Sequence, residues 1–93
     1  MEDNRKKLLN LIGSGVYIPD EVVNKDLTCG SKIIYGIVHK IKVYDLPMDG
    51  LEDLLNIKSA TRRKYLEELK NAGLISINKT KSGLLKVEDN YGR

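Results

Sequence analysis

Apolar residues recur along this chain in two rhythms, and the change from one to the other marks out the elements. Leu8, Leu11 and Ile12 fall at helical spacing, with Arg5, Lys6 and Lys7 on the remaining surface, which predicts an amphipathic helix over 4–12. Gly13-Ser14-Gly15 follows as a flexible joint, and Val16-Tyr17-Ile18 predicts a short extended stretch. Pro19 then opens a brief helical turn that carries Asp20 and Glu21 at its start, where Pro and carboxylates suit the free amides of a first turn. Ile33, Ile34, Ile37, Val38 and Ile41 repeat with the same period behind Thr28, so Thr28 is expected to cap a central core helix reaching Lys42. Its β-branched residues form helix reluctantly, so packing must hold it. Gly36 in its middle costs stability and suits a close neighbour.

Leu51, Leu54 and Leu55 make the buried face of a short helix after Pro47. Asp49 is read as its cap, with Glu52 three residues on completing a capping box. Asn56-Ile57-Lys58 is the next turn, with Ile57 as its apolar plug. A longer helix over 59–72 follows, with Ser59 as its cap. Gly73 suits its left-handed closure, and Leu74 can fold back on Leu69. Tyr65, Leu66, Leu69 and Ala72 form the inward stripe. Thr61, Arg63 and Lys64 project outward, and Arg62 falls on the side of Leu66 and Leu69. The rhythm then changes to two. Ile75 and Ile77 share one face, Leu85 and Val87 answer them, and Gly83 supplies the turn between. The pattern as a whole is mainly α with a small β-hairpin, an α+β arrangement with an N-terminal amphipathic helix. A short helix, a tight turn and a longer basic helix have the spacing of a helix-turn-helix, and the hairpin over 75–88 adds a wing.

Length bounds this to one domain, in which 1–15 is an accessory helix and joint and 16–93 is the folded module. So short a chain supports only a small core, built of Ile, Leu and Val with Tyr at its margins, because Trp and Phe are absent. No apolar run approaches the roughly 20 residues that span a bilayer, and charges interrupt the N-terminus where a signal peptide would be apolar. A single cysteine, Cys29, makes no internal disulfide and fits a reducing, cytoplasmic setting. The formal net charge of +3 is unevenly spread: residues 1–57 hold seven Lys/Arg against nine Asp/Glu, a balance of −2, and residues 58–93 hold nine against four, a balance of +5. Positive charge therefore gathers where the second helix and the hairpin lie. Phosphate attraction depends on such local density, because salt screens charges beyond about 10 Å.

Enzymatic chemistry finds little foothold. His39, the one histidine, has no Cys or acid at metal-ligand spacing and is read as lying on the exposed face of the core helix. No glycine-rich loop leads into a Lys-Ser or Lys-Thr pair. Asp49, Glu52 and Asp53 are read as cap and first-turn charges matched to the helix dipole. The expectation is a non-enzyme without cofactor or metal.

From Tyr17 to Ile75 the chain resembles the winged helix-turn-helix domain at the N-terminus of many phage and plasmid replication-initiation proteins. The resemblance rests on Ile18-Pro19-Asp20-Glu21-Val22-Val23, Asp26-Leu27-Thr28 and Lys32-Ile33-Ile34-Tyr35, then on Leu54-Leu55-Asn56-Ile57-Lys58 and the stretch from Leu66 to Ile75. It covers roughly two-thirds of the sequence, and its second half is generic to winged-helix proteins. It implies DNA binding through the helix that starts near Ser59. Members of that family place an aliphatic residue where Arg62 stands, so Arg62 is expected to lay its stem along the core and lift its head to solvent. The acidic short helix would repel DNA unless its charges point away. Such initiators usually carry further domains, so the chain is either a fragment or a small stand-alone regulator.

The leading functional expectation is sequence-specific binding of double-stranded DNA, as a transcriptional regulator or a replication-initiation recognition module. In the major groove, Thr61 and Arg63 would read bases, Ser59 and Ala60 would lie close enough to join them, and Lys58, Arg62, Lys64, Lys79 and Lys81 would meet the backbone. One small module spans few base pairs, which leaves room for a homodimer through the N-terminal helix or the C-terminal tail. The alternative from another class is a winged-helix protein-interaction module, such as a small phage-encoded inhibitor or adaptor, favoured by the low net charge and the acidic short helix.

Overall fold

The computed structural model describes residues 3–90; the end of the C-terminal tail suggested as a dimer contact lies outside them. Among the described residues, five helices and a three-stranded antiparallel sheet enclose one core. In chain order they are α1 (Asn4–Ile12), α2 (Asp20–Val23), α3 (Cys29–Ile41), β1 (Val43–Tyr44), α4 (Met48–Leu55), α5 (Ser59–Asn71), β2 (Ile75–Lys79) and β3 (Leu85–Asp89).

α3 runs through the middle. Thr28 caps it as expected, its hydroxyl accepting the Ser31 amide. Ile34, Ile37 and Val38 are buried, but Ile33 at the edge of the stripe is 41% exposed. The expected inward stripe of α1 is narrower too: Leu8 and Ile12 enter the core while Leu11 stays 52% exposed. Each helix buries only the residues that its neighbours can reach, so positions on the flank of a stripe remain in solvent. Ala72 is exposed and Tyr65 half-buried for the same reason, while Leu66 and Leu69 are buried.

Three glycines set how closely the helices approach. A Cβ at Gly36 would sit 3.0 Å from Ile18 and 3.2 Å from Val16, which is the close neighbour that its place in mid-helix suggested. A Cβ at Gly30 would overlap the Tyr65 ring where α3 crosses α5. At Gly50 it would lie 2.9 Å from the backbone oxygen of Asn4, so α1 rests directly on α4, where the Asn4 amide also donates to Asp49. Gly50→Ala should force the two backbones apart and cost about 1–3 kcal/mol, read as a lowered urea midpoint with unchanged slope. An unshifted midpoint would show that α1 does not pack there.

Both expected caps in the second half shift towards the N-terminus, by two residues in α4 and by one in α5. α4 begins at Met48 behind Pro47, with no side-chain cap, so Asp49 lies inside the first turn and no capping box forms. Lys58 occupies the cap position of α5, so Ser59 is the first helical residue and caps nothing. The C-terminal closure of α5 is as expected. Gly73 has φ of +76°, its amide reaches Lys70 O at 3.0 Å, and Leu74 N reaches Leu69 O at 3.1 Å, the paired bonds of a Schellman closure.

β1 has no counterpart in the sequence reading. Two residues are too few to show alternation, and their partners lie far along the chain: Val43 faces Glu88 and Tyr44 faces Val87. β3 pairs on its other side with β2, Ile77 opposite Val87, so the sheet order is β1-β3-β2. The hairpin turns at Gly83, φ +86°.

A buried polar network ties α3 to the end of β3. Asp89 is 5% exposed; its Oδ1 accepts the Tyr35 hydroxyl at 2.8 Å, and its Oδ2 lies 2.8 Å from His39 Nδ1 and 3.5 Å from Lys42 Nζ. The Tyr35 and His39 rings stack, centroids 5.6 Å apart. His39 therefore belongs to this network and not to a free helix face. The Asp89 amide also donates to Lys42 O, and the Asn90 amide to Leu74 O, so backbone and side chains close the same corner.

Candidate functional site

α4 and α5 meet through a three-residue turn. Asn56 takes the left-handed conformation, φ 56° and ψ 50°, which Asn tolerates better than most residues. The Ile57 amide then reaches back to Glu52 O at 3.0 Å, and half-buried Ile57 packs on the core as the expected plug. This turn sends the N-terminal end of α5 out beside the hairpin.

The far side of α5 is pinned to α3. The Glu68 carboxylate accepts the Thr28 amide at 2.7 Å and the Thr28 hydroxyl at 3.3 Å. The Thr28 amide above all, helped by hydroxyls and by nearby Lys64, holds the Glu68 carboxyl below its usual range. The helix is thus fixed in rotation about its own axis, and its outward residues are fixed with it.

The outward residues surround an open cleft of about 490 Å³ between the start of α5 and the hairpin. Ser59, Arg62 and Arg63 of α5 line it, with Pro47 and Met48 below and Lys79 and Gly83–Leu85 on the hairpin side. A second hollow of about 270 Å³ continues along α5, with Leu66, Ile77 and Leu85 between the charged Arg63, Glu67 and Lys70. The cleft therefore joins four expected site residues, Ser59, Arg62, Arg63 and Lys79. Lys58, Ala60, Thr61, Lys64 and Lys81 do not line it; all but half-buried Thr61 are exposed. Among the described residues, Lys58, Arg63, Lys79 and Lys81 make no salt bridge, unlike Arg62.

Arg62 departs from its expected posture. It is 8% exposed, and its Nε donates to Glu52 Oε2 at 3.0 Å. The head turns onto α4 because a carboxylate stands on the facing helix, so no long reach to solvent is needed. Glu52, read in the sequence as a cap charge, is the site residue that sequence reasoning missed. The available signal was a cation on the apolar stripe of α5 and an acid on the helix before it. The same pairing shields one of the three acids of α4, and Asn4 engages Asp49; Asp53 remains exposed.

Among the described residues there is no group of three or more His, Cys, Asp or Glu placed to hold a metal ion, and no helix is long and apolar enough to cross a membrane. In comparisons with known proteins, no family model, no curated protein and no solved structure matched the chain.

Proposed function

We propose that this protein binds double-stranded DNA with sequence preference, as a winged helix-turn-helix module in which α5 enters the major groove and the β2–β3 hairpin is the wing. The observation that carries the proposal is the juxtaposition of unpaired cations from two distant segments. Arg63 on α5 and Lys79 on the hairpin line one open cleft, and Lys58, Lys64 and Lys81 of the same two segments are exposed. A protein core has no use for such a cluster, whereas a polyphosphate backbone does. The order helix, short strand, helix, turn, helix, hairpin supports the same reading, as does the rigid seating of α5 against α3.

In this proposal Arg63 reads a base edge, with Ser59, Ala60 and Thr61 beside it at the front of α5, while Lys58, Lys64, Lys79 and Lys81 meet phosphates. Arg63→Ala should cost about 1–3 kcal/mol at the preferred site and relax base preference there. Lys81→Ala should weaken all duplexes alike and lower the salt slope by about one. Selection of bound fragments from random duplexes, followed by fluorescence titration of the winner, checks both. Equal affinity of Arg63→Ala and wild type for the selected site would remove Arg63 from base reading.

A second reading, a winged-helix module that docks another protein, draws on the apolar floor of the second hollow, formed by Leu66, Ile77 and Leu85. Salt separates the two: DNA binding falls steeply between 50 and 200 mM salt, and an apolar protein contact barely responds.

A further inference from the structure

Arg62 is a cation on the inner face of α5, followed on that face by Leu66 and Leu69. Glu52 holds it through Nε at 3.0 Å, and the other Glu52 oxygen lies 3.5 Å from Ser59 Oγ. Nε is one of five donors on a guanidinium. The terminal amino groups of Arg62 have no protein partner among the described residues. No buried side-chain nitrogen or oxygen among those residues lacks a partner either, so these amino groups must reach solvent. Arg62 lines both the 490 Å³ cleft and the adjoining hollow, the two openings beside its side chain.

We infer that Glu52 fixes Arg62 as a rigid anchor for one phosphate group in the cleft that Arg63 and Lys79 also line, a backbone phosphodiester of the duplex; the choice of phosphodiester rests on the DNA-binding reading above. Glu52 offsets the charge of Arg62, so Lys79 supplies the attraction and Arg62 supplies direction, while Arg63 keeps to its base edge. A guanidinium held at Nε presents the remaining edge of a planar fork that matches phosphate oxygens. Its side chain has already lost its rotamer freedom on folding, so less is lost on binding. Glu52 is then a positioning residue, and the acid that would otherwise repel DNA strengthens its capture.

The test uses the whole chain, a labelled mixed-sequence duplex read by anisotropy across salt, and inorganic phosphate read by NMR at the Arg62 Nε–H. Glu52→Gln decides most sharply. Removing an acid beside DNA should tighten binding if only net charge matters, whereas loss of positioning should weaken it several-fold. Arg62→Lys should weaken every duplex about tenfold, because a point charge replaces the held fork, while the salt slope stays close to wild type. Matched circular-dichroism melts show that both variants fold; if Arg62→Lys does not, Glu52→Gln decides alone. Tighter duplex binding by Glu52→Gln, or wild-type affinity in Arg62→Lys, overturns the anchor. If wild type binds no duplex, the DNA reading fails and the phosphate arm judges the cleft. A saturable Arg62 Nε–H shift that weakens in Glu52→Gln then supports an anchor for free phosphate, and no shift in wild type, or an equal one in Glu52→Gln, overturns it.

Discussion

Asp89→Ala should lower the unfolding free energy by about 3–5 kcal/mol, the cost of stripping partners from buried polar and charged groups. The carboxylate is the common acceptor for the Tyr35 hydroxyl and His39, with Lys42 Nζ 3.5 Å away. Without it, the fully buried Tyr35 hydroxyl loses its best acceptor, and the last residue of β3 loses its side-chain hold on α3. Asp89→Asn should lose less, about 1–3 kcal/mol. Its carbonyl can still accept from Tyr35, but its amide offers Lys42 no charge. Urea unfolding followed by circular dichroism gives both numbers. A loss under 1 kcal/mol in Asp89→Ala would mean that backbone pairing alone closes that corner. For a domain of this size, several kcal/mol is a large share of total stability, so the alanine variant is expected to be partly unfolded at 37 °C.

The second large effect is alkaline. Tyr44 is 1% exposed and donates its hydroxyl to Pro47 O at 2.9 Å. Burial, with smaller contributions from neighbours including Asp49 and Glu52, raises its pKa from 10.0 to about 12. The folded state therefore favours the protonated phenol more than the unfolded chain does. That stabilisation is fully present below pH 10 and is lost as pH rises through about 12; at 1.36 kcal/mol per unit it amounts to about 2–3 kcal/mol. Tyr44→Phe removes the titration and one hydrogen bond, a loss of about 0.5–1.5 kcal/mol at neutral pH. Wild type should thus be the more stable at pH 8 and the less stable near pH 12, with the curves crossing between. The two proteins differ only at this ring, so the difference between the curves isolates Tyr44. Parallel curves would show that the ring is not sealed from water.

Much of the fold was legible in the sequence because its signals are local. Thr28 and Ser31, the closure at Gly73, and the alternation of Ile75 with Ile77 all act within a few residues, and α1 matches its expected span. The caps moved to Pro47 and Lys58 because both already have extended backbone, so α4 starts two residues and α5 one residue earlier than the polar side chains suggested. The remainder depends on partners far away in the chain. Val43 and Tyr44 form a strand only because Glu88 and Val87 lie beside them, and Asp89 gives no sign in sequence that Tyr35 and His39 will meet it. The candidate site divides in the same way. Exposed Arg63 and Lys79 could be picked from charge and phase alone. The inward turn of Arg62 required knowing that Glu52 stands on the facing helix.

The position of β3 has a consequence for how the molecule is made. This strand is the last of the three to be synthesised, yet it is the one that bonds to both others. In the finished sheet β1 and β2 do not pair with each other, so until residue 85 has been added neither has its native mate. Val43 must wait 45 residues for Glu88, so completing the sheet is a late zippering event that seals Tyr44 and the Asp89 corner together. Stalled or prematurely released chains would expose two hungry strand edges to the proteolytic and chaperone machinery at the same moment.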